Sequence, residues 1–268
     1  MHNATNQSNP VSFAGMIDAD YRQAKGLSKS MLTHFMKSPA HYQQALKTPM
    51  EPTKAMNFGV AFHAEMLIDN ASSLYAVQPE ADGRTKEGKA IKEKFASENQ
   101  GKTIISMEEG EMIVGMRDSI MEHPLASSII ENRGNSEFSM FATLETSTQP
   151  ILLKGRFDAF DKSTGILMDI KTCEDASPDG FKKAIRNYGY DIQQVHYSWL
   201  ASQLYTVNNF YFIAVEKTPP YAVGVYEIGN NMLEFAKNRW TKSMESFAVC
   251  QSKDIWQGYS NDSVILDA

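Results

Sequence analysis

The chain has 268 residues, 42% hydrophobic and 22% charged, with a formal net charge of −6. That is ample globular sequence for a substantial core, and the negative charge excludes a nonspecific basic coat for nucleic acid, though not a local basic groove. Two cysteines, Cys173 and Cys250, exclude a disulfide framework or a four-cysteine metal site and read as small buried thiols.

Residues 1–14 open with MHNATNQSNPVS and read as a mobile polar tail ahead of a single domain over 15–268. Ser28 is a candidate N-cap for a helix over 28–37, where Leu32, Phe35 and Met36 follow at helical spacing. Pro39 suits the first turn of the next helix, PAHYQQALK. A third helix, over 53–68, is dense in apolar residues and is expected to be buried. The charge-alternating segment 87–99 reads as an exposed helix. An amphipathic helix over 106–123 carries acids in its first turn, where the helix dipole favours them, and stops at Pro124.

The pattern then changes period. SEFSMFATLE (136–145) alternates like a strand, and PILLKGRFDAF (150–160) is a second. DKSTG (161–165) supplies a turn into a third, ILMDIKT (166–172), which completes an antiparallel meander. Helices over about 178–187 and 191–204, strands over 209–217 and 221–228, and a helix over about 231–250 follow. The predicted fold is α/β: a central mixed β-sheet, with the antiparallel meander, flanked by helices. No apolar run reaches the ~18 residues of a membrane helix and the start has no signal-peptide pattern, so the expected setting is cytoplasmic, away from membranes.

Strand alternation puts Asp169 and Lys171 on one face with Leu167, and Ile166, Met168 and Ile170 on the other, which looks like core. Asp158 lies near the end of the preceding strand, so a hairpin brings it close to Asp169, in a register the sequence leaves open. Two carboxylates this close repel and shift each other's pKa. A divalent cation resolves the conflict. Mg²⁺ takes oxygen ligands, keeps several waters and stabilises a charged phosphoryl transition state. Lys171 could orient or deprotonate the attacking water, or balance charge on a phosphate oxygen. Taken alone, D-x-K is a common tripeptide and an ordinary structural pair.

The segments GRFDAF and MDIKT resemble the core of the PD-(D/E)XK nuclease superfamily, with Asp158 as first acid, Asp169 as second and Lys171 as the lysine. Phe157 stands where a proline often precedes the first acid. FGVAFHAEML (58–67) resembles the G-x-x-x-H helix of the RecB-like branch, through Gly59 and His63, and DIQQVHYSWL (191–200) resembles its Q-x-x-x-Y helix, through Gln193 and Tyr197 one turn apart. Over roughly residues 15–250 the likeness extends to RecE-type (exonuclease VIII) nuclease domains. It implies the PD-(D/E)XK fold and a Mg²⁺ cofactor, with Mn²⁺ as a substitute. It implies a metal shell of Asp158, Asp169, the His63 ring and the Ile170 carbonyl, and Lys171 as the residue that positions water. Gln193 and Tyr197 would border the site and hold the lysine or DNA. The implied activity is 5′-to-3′ digestion of double-stranded DNA from its ends, leaving 3′ single-stranded overhangs for annealing-type recombination. The implied assembly is a homotetrameric ring with a RecT-like single-strand annealing protein as partner. A ring retains a duplex by topology, which suits an acidic chain.

Other residues remain open at this level. Glu137 precedes the first meander strand; related nucleases place an acid there near the metals, and a solvated strand-end acid fits equally. Arg156 shares the face of Asp158 and either contacts phosphate in DNA or pairs with an acid. Glu65 points to another helix face than His63. His123 and His196 have no evident partner. Lys86, Lys89, Lys92 and Lys94 form an exposed helix face or line DNA, and Phe181, Tyr188 and Tyr190 pack in the core or meet an unstacked base. Alternative functions on the same core are an endonuclease, a single-strand nuclease or a non-catalytic DNA clamp. The clamp's mark, a missing acid or lysine, is absent.

Overall fold

A computed structural model describes residues 9–48 and 51–265. In chain order the elements are β1 (Val11–Phe13), α1 (Asp18–Gln23), α2 (Lys29–Lys37), α3 (Pro39–Lys47), α4 (Lys54–Leu67), β2 (Tyr75–Val77), α5 (Lys86–Glu98), β3 (Thr103–Ile105), α6 (Met107–Glu122) and α7 (Pro124–Glu131). There follow β4 (Asn135–Leu144), β5 (Ile151–Asp161), β6 (Ile166–Cys173), α8 (Pro178–Tyr188), α9 (Tyr190–Ser202), β7 (Asn209–Glu216), β8 (Val223–Tyr226) and α10 (Asn230–Lys253).

Helix starts follow local chemistry. Ser28, Thr53, Thr85 and Ser177 each accept a backbone N–H of the first turn of α2, α4, α5 and α8. Ser106 and Glu109 form a reciprocal capping box on α6. Pro124 ends α6 as expected, but it also opens α7, a helix the sequence reading left out. Proline at a first helical position loses no bond, and His123 Nδ1 accepts the Ala126 N–H at 3.2 Å as the cap.

The central sheet is six-stranded and mixed, in the order β1-β4-β5-β6-β7-β8. β4, β5 and β6 are the expected antiparallel meander, and β6 and β7 pair in parallel from Ile166↔Asn209 to Cys173↔Glu216. The expected tail over 1–14 needs correction: Val11, Ser12 and Phe13 pair with Phe141, Met140 and Ser139 and add an edge strand, while residues 1–8 lie outside the described residues. A run of only three residues carries no readable period, and its pairing is supplied by β4. The same explains the unforeseen two-stranded sheet of β2 and β3.

Helices cover both faces. On one, Leu32, Phe181, Ile192, Leu200, Trp240 and Phe247 from α2, α8, α9 and α10 pack on Leu153, Phe157, Leu167 and Phe212. On the other, Phe58 and Phe62 of α4, Ile113 and Met116 of α6 and Ile129 of α7 pack on Met168, Ile170 and Ile213. Met168 and Ile170 thus face the core opposite to Leu167, as strand alternation requires. Cys173 and Cys250 are free and half-buried rather than fully buried, and burial pushes the Cys173 thiol up to about 11. Among the described residues no helix is long and apolar enough to cross a membrane.

Candidate active site

The site forms where β5 and β6 part. Their ladder runs from Asp161↔Ile166 to Ala159↔Met168 and stops. One step further, Asp158 would face Asp169; instead Asp158 Oδ2 takes the Ile170 N–H at 2.8 Å. A carboxylate therefore closes the ladder where a backbone carbonyl would have done so. The register that the sequence left open is now fixed, and it places the two acids at the mouth of the fork.

Glu137 stands across from Asp158 on the other side. Pairing of β4 with β5 holds the same register at Ser136↔Ala159 and Phe138↔Phe157, with Glu137 between them at φ +50°. That left-handed conformation is unfavourable for a residue with a Cβ and is held only by its surroundings. Side-chain alternation slips there: Phe157 and Phe160, three apart rather than two, lie in the same core cluster, whereas Ala159 lies in the other. Glu137 is thus a mid-strand residue at a backbone irregularity, not the strand-end acid of the sequence reading.

His63 comes in from α4. Its Nε2 donates to the Ile170 carbonyl at 3.0 Å, and its Nδ1 stands 3.5 Å from Asp158 Oδ1. His63, Glu137 and Asp158 offer ligand atoms that all lie within 4.8 Å of one another. Two carboxylates and one imidazole suit a hard or borderline divalent cation that keeps several waters, so the donor set fits the expected metal. Two of the expected ligands are engaged otherwise. The Ile170 carbonyl is taken by His63, and Asp169 is turned toward α9, pairing with Lys171 and receiving the Gln193 amide.

Asp169 is 1% exposed. Burial, with the charge of Asp158 second, pushes its pKa up to about 6. Burial alone would lower Lys171, but the charges of Asp169 and Asp158 outweigh it and hold the ammonium. Glu137 is also raised, by burial first, with Asp158 adding and Arg156 opposing. Arg156 sits 2.5 Å from Glu137 Oε2 and 2.8 Å from Asp18 Oδ1. Of its two readings, phosphate contact or acid pairing, the geometry displays the second.

Helix α9 reaches the sheet because Gly155 has no side chain. A Cβ there would stand 2.7 Å from Leu200 Cδ1 and 3.2 Å from Tyr197 Cδ1. This approach brings Gln193 onto Asp169 and packs Tyr197 against Phe157, ring centroids 4.9 Å apart and planes tilted at 50°. Gln193 thus holds the second acid rather than the lysine. Glu65 is tied to Tyr75 at 2.9 Å and Arg117 at 2.8 Å, away from the cluster. Lys86, Lys89 and Lys94 are exposed on α5, and Phe181 is core. His196 is buried and structural, its Nε2 donating to the Lys154 carbonyl at 3.1 Å and its Nδ1 accepting from Trp240 at 3.2 Å.

Sequence reasoning overlooked Lys29. At the start of α2 it is half-buried, donates to the Tyr188 carbonyl at 2.7 Å and lies 5.9 Å from the Tyr190 ring, while Lys171 lies 4.9 Å from the same ring. Burial first, and Lys171 second, lower its pKa to about 8. Its position beside β6 is set entirely by packing, and no local pattern marks it.

The profile of a family described as a PDDEXK-like domain of unknown function (DUF3799) matches residues 28–266. Among solved structures, a presumptive exonuclease of Eubacterium rectale superposes with a TM-score of 0.60 at 13% identity, over 90% of this chain and 88% of that one. A phage-related exonuclease of Haemophilus somnus 129PT aligns with a TM-score of 0.31 at 13% identity, over 73% of this chain and 95% of that one. No curated protein matches the chain. The Eubacterium rectale protein is similar in fold.

Proposed function

The chain belongs to the PDDEXK-like domain family DUF3799, and from that premise we propose that it is a divalent-metal-dependent exonuclease acting on double-stranded DNA. The observation that carries this reading is the convergence of His63, Glu137 and Asp158 at the β5–β6 fork, with the Asp169–Lys171 pair beside them. Bare acids this close would repel and protonate; an imidazole and two carboxylates with ligand atoms inside 4.8 Å suit a cation instead.

In this reading His63, Glu137 and Asp158 hold the cation, with Asp169 beside it, and Mg²⁺ is the physiological ion with Mn²⁺ as a substitute. When bound, such an ion supplies charge stabilisation at a phosphoryl group and acidifies water. The protein's own groups do the rest. Asp158 holds the Ile170 N–H and so fixes the fork. His63 donates to the Ile170 carbonyl, which selects the tautomer with a free Nδ1. Gln193 and Lys171 fix both oxygens of Asp169. The Lys171 ammonium, held charged by two acids, is the group to orient water or to neutralise a phosphate oxygen.

The finer features of this proposal rest on motif likeness to RecE-type domains: 5′-to-3′ polarity, 3′ overhangs for recombination, a homotetrameric ring and a RecT-like annealing partner. One digestion experiment addresses activity, metal and direction together. Linear duplex labelled at either the 5′ or the 3′ end is incubated with Mg²⁺ or with EDTA. Loss of the 5′ label first, only with Mg²⁺, is expected, and covalently closed circles should survive. Cutting of closed circles would replace the exonuclease with an endonuclease. Wild-type rates in Lys171→Ala would remove the catalytic assignment.

A further inference from the structure

Beside Lys171 the fold stacks aromatic rings in a row that ends in solvent. The innermost, Phe212, is fully buried; Tyr190 lies on it with ring centroids 5.9 Å apart and planes at 26°. Tyr188 lies on Tyr190 at 5.7 Å and 29°, and Tyr188 is 62% exposed. The Lys171 ammonium stands 4.9 Å from the centre of the middle ring.

Residues two apart on a helix point to different sides and do not meet. Tyr188 and Tyr190 meet because Gly189, at φ +64°, breaks α8 from α9 in a left-handed step. A side chain there would meet only the Ile192 Cβ, at 4.0 Å, so the position requires glycine for its backbone angle and not for space. The last carbonyl of α8, on Tyr188 itself, accepts from Lys29 Nζ at 2.7 Å, where a cation also suits the helix dipole. The outer ring is therefore held in place on a fixed backbone while most of its surface stays in water. Core packing accounts for Phe212 and Tyr190 but not for an anchored ring left open.

We propose that Tyr188 is a stacking platform for an unpaired base at the end of the DNA strand that occupies the site. This deepens the nuclease reading above and rests on it. A planar aromatic face suits any nucleobase, since every base has a π-face, so the site would favour frayed or single-stranded termini without sequence preference. Inward of Tyr188 the next ring is Tyr190, against which the Lys171 ammonium stands at 4.9 Å, so the platform adjoins the catalytic lysine's own ring contact.

The test uses the whole protein in EDTA, so that nothing is cut. The probe is a duplex with a short unpaired end carrying 2-aminopurine as its terminal base, beside a duplex of equal length closed by hairpins. Wild type, Tyr188→Phe and Tyr188→Trp should quench the fluorophore. Tyr188→Ala and Tyr188→Leu should lose the quench and bind the open end roughly tenfold more weakly, the size expected for one stacked base. All should bind the closed duplex alike. Leucine keeps bulk without a π-face, which separates stacking from packing. Equal quench and affinity in Tyr188→Ala, or no quench in wild type that still digests DNA with Mg²⁺, overturns the platform and leaves the nuclease reading intact. A wild type that neither binds nor digests DNA removes both.

Discussion

Two buried groups give the metal-free protein opposing responses to pH, and replacing one unmasks the other. Asp169 is pushed from 3.8 up to about 6, by burial and then by Asp158. His196 is pushed from 6.5 down to about 4, chiefly by burial. Between 3.8 and about 6 the folded Asp169 keeps a proton that the unfolded chain has released. Its contribution to stability is therefore full below 3.8 and lost as pH rises through about 6. Between about 4 and 6.5 the folded His196 lacks a proton that the unfolded chain holds. Its contribution is complete above 6.5 and lost as pH falls through about 4. At ~1.4 kcal/mol per pH unit, each gap is worth on the order of 3 kcal/mol, with opposite sign. In wild type the two act in opposite directions across this range. In Asp169→Asn the falling limb is gone, so the variant's unfolding free energy should climb, relative to wild type, by on the order of 3 kcal/mol from the acid to the neutral end of that window. Urea denaturation in EDTA, repeated across the range, measures it. Removing the partner of Lys171 lowers the variant's level throughout, so only the difference in slope counts. Parallel curves would refute a protonated, buried Asp169.

Other consequences follow from the same geometry. Mg²⁺ at a hundred times its Kd should stabilise the protein by ~2.7 kcal/mol, read as a rise in Tm, and Asp158→Asn or Glu137→Gln should abolish that rise; an undiminished rise in Glu137→Gln would remove it from the metal set. Gly155→Ala should cost about 1–3 kcal/mol by pushing α9 off the sheet, and should reduce digestion beyond the stability loss because Gln193 then leaves Asp169; denaturation and initial rates separate the two effects. Gly134→Ala meets both a φ of +69° and a Cβ 2.6 Å from the Asp161 Cα, so its denaturation midpoint should fall further than that of Gly155→Ala, and an equal or smaller fall would contradict the close approach of the two strands.

The meander and most of the long helices are legible along the chain, because caps and hydrophobic periods are written among near neighbours. Ser106 and Glu109 cap α6 within four residues, and the alternation of 166–171 sends Met168 and Ile170 to one core and Leu167 to the other. Asp158, Asp169, Lys171, His63 and Gln193 were legible as candidates because each sits in a short pattern of recognisable type. Tertiary structure decided how they divide. The β5–β6 ladder ends one pair early, so Asp158 turns to the Ile170 N–H and to His63 while Asp169 is drawn to Gln193 of α9. Glu137 enters the cluster through a left-handed residue that no local pattern foretells. β1, α7 and Lys29 were hidden for a related reason: three-residue strands, a proline that both stops and starts a helix, and a lysine buried by distant chain take their state from partners far along the sequence. Periodicity records which face of an element is buried, but where two strands separate is set by the packing of whole layers on either side of them.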